Sequence, residues 1–289
     1  MHWFWLVLLC AFSAAAADAA TKRLLPGYSA REIVVVRFAV TGALLSPLLV
    51  QHWTSVPAPF WGWVGALVPL ELSAMWLYAE ALRRAPLSQT QPYLAFTPVF
   101  TILTGYLLLG EQVSPRGATG IGLVAAGAYL LNIRHANSGS RYALLQPLKA
   151  MFVQPGPRLM LMVAAIYSLT SVMGKGALRY APPAFFAPFY FALLGTLASV
   201  PYLSGHAGRP ARLFRKPLGV LTVGGFMAVM AWTHFMAIER VEVAYMISVK
   251  RTSALFAILF GAWLFAERDV PLNLLAASLM VAGVFLIAI

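Results

Sequence analysis

The chain has 289 residues, of which 61% are hydrophobic and only 10% charged, against roughly 25% charged in an ordinary soluble domain. That is too little charge to cover a water-facing surface, which excludes a soluble enzyme. The 8 Trp, 11 Tyr and 18 Phe, with a mean hydropathy of +0.78, exclude a disordered chain.

A helix crossing a ~30 Å hydrocarbon core needs about 20 mainly apolar residues. Ten segments meet that need, so the sequence predicts an all-α integral membrane protein of ten transmembrane helices. The first, 3–21, has only His2 before it and Lys22 and Arg23 after it. That is the reverse of a secretory signal, so it is expected to remain as a span despite the small residues Ala15, Ala17 and Ala19. The second, 33–50, carries Arg37. The third, 61–82, contains Pro69, Glu71 and Glu80, and the fourth, 87–109, contains Pro92 and Pro98. These prolines are expected to bend their helices where a freed carbonyl can face a cavity or a neighbouring donor. The fifth, 118–133, leads into a basic, turn-rich loop with no room for a soluble domain. The sixth to tenth spans are 159–178, 185–203, 218–238, 244–265 and 272–289. Cys10 has no second cysteine, so neither a disulfide nor a cysteine metal site is expected.

The chain repeats itself. A shift of 156 residues superposes Trp76 on Trp232, Arg84 on Arg240, Gly105 on Gly261, Glu111 on Glu267, Pro115 on Pro271 and Gly127 on Gly283. A shift of 153 superposes Lys22 on Lys175, Phe38 on Phe191, Gly42 on Gly195 and Ser46 on Ser199. Five helices are therefore duplicated. Because five is odd, the second copy enters the membrane from the opposite side, which predicts two inverted five-helix repeats. The predicted organisation is a first repeat with the start of the central loop over 1–137, a basic amphipathic connection over 138–158, and a second repeat over 159–289. Inverted repeats imply alternating access about a site near the midplane.

Leu108-Leu109-Gly110-Glu111 with Gly117, Gly122 and Gly127, and Leu264-Phe265-Ala266-Glu267 with Gly283, resemble the two EamA-type modules of the drug/metabolite transporter superfamily. Ala17-Asp18-Ala19-Ala20-Thr21-Lys22 and Ser248-Val249-Lys250-Arg251-Thr252-Ser253 are similar to the end of that family's first helix and to its ninth helix. Ala266, where the first copy has Gly110, is one departure. The resemblance spans essentially the whole chain and implies a secondary carrier of small metabolites or drugs. The adjacent Lys-Arg pair also resembles the phosphate-binding pair of the plant triose-phosphate carriers, a distant branch of the superfamily.

Residues repeated in both halves serve the shared fold, whereas polar residues present in one half are candidates for cargo. Lys250 falls on Leu94 and Arg251 on Ala95, so a cationic pair sits mid-helix in the second copy alone. An uncompensated charge there costs at least ~2.5 kcal/mol on insertion scales, which points to a wet cavity or a counter-charge. Arg37, opposite Tyr190, is a third buried cation. The bland reading pairs these cations with Asp18, Glu71 and Glu80 as structural salt bridges, and the functional reading is anion binding. Tyr167, Ser171 and Lys175 recur every four residues as a polar stripe, although Lys175 repeats Lys22 and both can simply snorkel at span ends. Ser248 adds a hydroxyl near the Lys-Arg pair, and Gln89, Gln91, Tyr93 and Tyr245 are either cargo contacts or interfacial anchors. Asp18, Glu71 and Glu80 are the candidates for proton coupling, Asp18 foremost, with a salt bridge to Lys22 as the rival. A lone His234 reads more readily as a packing residue. No catalytic cluster, nucleophile elbow or phosphate loop appears, and no cofactor or metal is expected.

The sequence thus predicts a non-enzymatic carrier in a bacterial inner membrane. It would move a small anionic solute, carboxylated or phosphorylated, with protons or a counter-substrate as coupling partners and no role for nucleic acid. The alternatives are a proton-coupled exporter of amino acids or amphipathic cations, and a non-transporting membrane scaffold. Loops after the odd-numbered spans hold 14 Lys and Arg and the opposite side 4, which predicts external termini, whereas the resemblance implies internal ones.

Overall fold

A peptide group left unpaired in hydrocarbon costs several kcal/mol, so a chain this apolar must satisfy its backbone within its own helices. The computed structural model describes residues 2–84, 91–133, 153–204, 213, 215–265 and 271–288, and every regular element among them is helical. In chain order these are α1 (His2–Leu24), α2 (Ala30–Val35), a π-helical turn (Val36–Val40), α3 (Thr41–Gln51), α4 (Ala58–Arg84), a 3₁₀ segment (Gln91–Phe96) and α5 (Thr97–Leu109). They continue as α6 (Pro115–Ile133), α7 (Pro155–Leu178), α8 (Pro183–Ser204), α9 (Pro217–Ile238), α10 (Val243–Lys250), α11 (Ser253–Phe265) and α12 (Pro271–Ala288). Six stretches among them are long and apolar enough to cross a bilayer: Trp3–Leu24, Arg31–Gln51, Ala58–Tyr78, Pro155–Leu178, Pro183–Val200 and Pro217–Ile238. Tyr93–Leu109 and Leu275–Ala288 are shorter apolar helices. The basic loop expected after the fifth segment lies largely outside the described residues.

Local chemistry sets the helix ends. Pro115, Pro155, Pro183, Pro217 and Pro271 each open a helix, where a missing amide proton costs nothing. For this reason α7 begins at Pro155, four residues before the apolar run that predicted it. Ser29 and Glu32 form a reciprocal capping box at the start of α2. Gly110 closes α5 in the left-handed region at φ 71°, with the Glu111 amide donating to the Gly105 carbonyl at 3.2 Å and the Gly110 amide to Tyr106 at 3.0 Å.

Three predicted rods are locally irregular. The second carries the π-helical turn around Arg37. The fourth is 3₁₀ over Gln91–Phe96 before α5 begins at Thr97, and the ninth breaks at Arg251 and Thr252 before α11 begins at Ser253. Thr97 and Ser253 are separated by the 156-residue shift of the duplication, so both copies interrupt the same helix at the same register. Pro98 accounts for the first interruption, at the opening of α5. In the second, where no proline stands, the Thr252 amide and hydroxyl both donate to the Val249 carbonyl, at 3.0 and 2.7 Å, a local side-chain bond that competes with the helical pattern. Pro69, by contrast, is carried within an unbroken α4.

The packing is reciprocal between the two halves. α1 lies along α9 and α11, and its counterpart α7 lies along the counterparts α4 and α5. A Cβ on Gly42 would stand 2.8 Å from the Cα of Ala192, and one on Gly195 would stand 2.7 Å from the Cα of Ala39. Under the 153-residue shift these are one contact seen from each repeat, and Phe38 stacks on its own counterpart Phe191 beside it, at 5.7 Å. α6 and α12 meet in the same way, Gly120 facing Gly283 and Gly127 facing Ala276. Hydrophobicity gives no preference for helix over lipid, so close backbone approach at small residues supplies this association.

Candidate functional site

Between the repeats lies a cavity of about 500 Å³. An aromatic cluster holds one wall: Phe186 is fully buried, stacks on Tyr190 at 5.6 Å and meets Phe235 edge-on at 4.9 Å. This packing carries the Tyr190 ring to the cavity lining beside Glu71, where its buried hydroxyl has no hydrogen bond of good geometry among the described residues.

The irregular helices deliver the charge. α10 ends at Lys250, and Arg251, whose amide still donates to the Ile247 carbonyl at 3.2 Å, lines the same cavity just before the helix breaks. The Lys250 ammonium lies 3.2 Å from His234 Nδ1 and 3.7 Å from Met230 Sδ. An ammonium can only donate, so Nδ1 accepts and the ring keeps its proton on Nε2. No carboxylate lies within salt-bridge distance of Lys250 or Arg251 among the described residues, and the buried Nε of Arg251 has no hydrogen-bond partner. The π-helical turn presents Arg37, which pairs with Asp18 and also donates to Thr21 Oγ1 at 3.2 Å. Asp18 is 65% exposed, so this pair stands at the mouth of the cavity, where an ion pair is worth about 1 kcal/mol or less. Glu71 reaches the cavity from α4, beside Thr170 and Tyr190. Tyr167 and Ser171 line it from α7.

Four other residues singled out from the sequence stand elsewhere. Lys175 binds Glu111 Oε1 at 2.5 Å and the Val241 carbonyl at 2.6 Å, while Glu111 Oε2 accepts the Val243 amide at 2.8 Å. This knot ties the end of α7 and the start of α10 to the end of α5. Tyr245 places its hydroxyl 3.0 Å from the Ser114 amide, in a notch that any side chain at Gly117 would fill. Ser248 is fully buried with a hydroxyl that has no partner among the described residues, and Glu80 pairs with Arg84 one turn on at 2.7 Å. Gln89 and Glu267 fall outside the described residues. The cavity also gathers Tyr78, Thr170 and Tyr190, which the sequence did not put forward as cargo contacts. Tyr190 and Tyr78 align with Arg37 and His234 of the other copy, so the rule that picks polar residues without a matching partner finds both.

The chain matches the EamA-like transporter family over residues 1–133 and 154–289. It is 30% identical over 104 residues to the probable 4-amino-4-deoxy-L-arabinose-phosphoundecaprenol flippase subunit ArnE of Aeromonas salmonicida strain A449, covering 34% of this chain and 91% of that protein. It is 32% identical over 81 residues to the ArnE subunit of the same description in Aeromonas hydrophila subsp. hydrophila, covering 28% of this chain and 68% of that protein. One crystal structure of a protein superposes with a TM-score of 0.76 at 16% identity, over 99% of this chain and 96% of the other, a likeness of fold.

Proposed function

Because the chain belongs to the EamA-like transporter family of the drug/metabolite transporter superfamily, and is thus an integral membrane transporter of small molecules, we propose that it is a secondary carrier of an anionic metabolite. Its ten spans form two inverted five-helix repeats, 1–137 and 159–289 joined through 138–158, in a bacterial inner membrane. The cargo carries a carboxylate or phosphate. Lys250 and Arg251 bind that group, Arg251 as a planar fork and Lys250 as a point charge. Arg37 serves as a third cation at the mouth, and Tyr167 and Ser171 offer hydroxyls to the rest of the molecule.

One observation carries this reading: two adjacent cations face a shared cavity with no carboxylate in contact with either among the described residues. Buried charge is retained in a membrane protein where something compensates it, and here the compensation is left to a passenger. The relatives' names describe a phosphate-linked cargo, which accords with such a pair. Broken helices at matching registers in the two copies suit alternating access, since each half can exchange shapes with the other. Asp18 is the coupling residue of this scheme. When cargo anion draws Arg37 inward, Asp18 is released to take a proton from the open side. Lys175 and Tyr245 hold the halves together in this state, and Glu80 belongs to the membrane surface.

The test is flux through the purified protein in proteoliposomes loaded with a panel of phosphorylated and carboxylated metabolites. Lys250→Glu is expected to lower anion flux by about a hundredfold or more, since a reversed charge adds repulsion to the lost attraction. Anion flux equal to that of the parent would overturn the assignment. A panel of amphipathic cations distinguishes the rival exporter, which Lys250→Glu would leave active.

A further inference from the structure

The partners that hold Lys250 carry no net charge. Its ammonium donates to His234 Nδ1 at 3.2 Å and lies 3.7 Å from Met230 Sδ. These two residues stand one turn apart on α9 and meet the end of α10. Cys10 Sγ contacts the Met230 carbonyl at 3.5 Å and ties α1 to the same turn. Three other basic side chains meet carboxylates instead: Arg37 meets Asp18, Arg84 meets Glu80 and Lys175 meets Glu111. Glu71, which shares the cavity with Lys250, stands beside the hydroxyls of Thr170 and Tyr190 and forms no ion pair with it within 4.0 Å.

The sequence carries this arrangement as a unit. Under the 156-residue shift Met230, His234 and Lys250 fall on Ala74, Tyr78 and Leu94, so the cation and both of its partners are present in the second copy and absent together from the first. Trp76 and Trp232 align within the same stretch and fix the register. A histidine that served packing alone would have no reason to come and go with a lysine on another helix.

A neutral acceptor differs from a carboxylate in one way that matters to an anion site. Both fix the ammonium in place, and a hydrogen bond to a charged group is among the stronger ones. A carboxylate also cancels the charge it holds, and an incoming anion must then displace it. The imidazole lone pair takes one of the three ammonium N–H bonds and leaves the full charge facing the cavity, while the thioether, a weak acceptor, yields to an anionic oxygen. Resting on the anion-site reading, we propose that His234 is a positioning residue for that site: as a neutral imidazole, with Met230 beside it, it aims Lys250 at the cargo without neutralising it.

Two isosteric substitutions test this on the purified full-length protein, with equilibrium binding of ethyl phosphate, sulfate and 3-phenylpropanoate as probes. Asparagine and aspartate share one shape, and each can place an oxygen where Nδ1 stands. His234→Asn keeps a neutral acceptor and should bind the tightest of these probes within about threefold of the parent. His234→Asp pairs with Lys250 and should lower that affinity by about thirtyfold or more. His234→Leu removes the acceptor and should lower it by about tenfold. His234→Asp should melt no lower than His234→Asn, which separates lost recognition from lost fold. Equal affinity in His234→Asn and His234→Asp, parent affinity in His234→Leu, or His234→Asn binding no more tightly than His234→Leu overturns the role of His234 and leaves the anion site standing. Nitrogen NMR of the histidine rings gives a readout that needs no ligand. The resonances lost in His234→Asn should show a bare Nδ1 and a protonated Nε2 in the parent, and Lys250→Met should disturb that signature. A proton on Nδ1 in the parent overturns the proposal whatever the variants do. If none of the probes binds the parent, or if binding is undiminished in Lys250→Ala, the anion site itself falls and the inference with it.

Discussion

Replacing Arg251 with methionine is expected to stabilise the protein and weaken anion binding together. Arg251 stands at the break between α10 and α11, its Nε buried without a partner and no carboxylate in contact among the described residues. Removing a charge from water costs several kcal/mol unless geometry and partners compensate, and apolar replacement of buried ionic groups is often neutral or stabilising by about 1–4 kcal/mol. Methionine fills a similar volume and adapts to irregular space. An upward shift of the melting temperature by a few degrees is therefore expected. Anion affinity should fall by about thirtyfold or more, the scale of truncating one side of a desolvated charged contact. Melting curves and ligand titrations on the same preparation read both signs. A variant that melts lower than its parent would mean that Arg251 supports the fold, and cargo would not be the reason for its position.

The second large effect concerns the seam between the repeats. Gly42→Ala and Gly195→Ala each place a methyl group within 2.8 Å of backbone atoms on the facing helix, and Gly283→Ala places one 2.5 Å from the Gly120 carbonyl oxygen. Backbone cannot rotate out of the way as a side chain can, so the helices must separate. Each substitution is expected to cost about 2–3 kcal/mol, the upper part of the range for overpacking. Because Gly42 and Gly195 belong to one interface, the double variant should cost less than the two single costs combined, the first having already parted the helices. A methyl group added at Gly62 or Gly65 in α4 would meet nothing within 4 Å, so alanine there should be neutral or gain up to about 1 kcal/mol. Unfolding in mixed detergent measures all of these variants against the parent. Equal tolerance at Gly42 and Gly62 would contradict the reciprocal packing.

Much of the architecture is legible in the residues because two strong signals coincide there. Apolar runs report which segments avoid water, and the duplication reports which residues serve the common fold. The contrast between copies led to Arg37, Lys250 and Arg251, and all three line the cavity. What the sequence does not display is the pairing of individual side chains. Arg37 meets Asp18 across 19 positions, and helical periodicity carries no information on contacts between helices. Lys175 shares its stripe with Tyr167 and Ser171, yet its long side chain reaches Glu111 and Val241 instead of the cavity. The break after Lys250 is equally hidden, since no proline or glycine marks it and Thr252 closes it with a local hydrogen bond. Position along a helix is therefore predictable where direction and reach are not.

The central claim, that a positive charge at position 250 is held for the cargo, has one direct test. In a background where the buried Cys10 is replaced by alanine, Lys250→Cys is reconstituted and treated with 2-aminoethyl methanethiosulfonate, which restores an ammonium at the end of a side chain one atom longer than lysine. Methyl methanethiosulfonate supplies the neutral control. Anion flux should be lost in the untreated variant, return on addition of the aminoethylthio group, and stay lost on addition of the methylthio group. Full flux without treatment, or equal recovery with both reagents, would contradict the account.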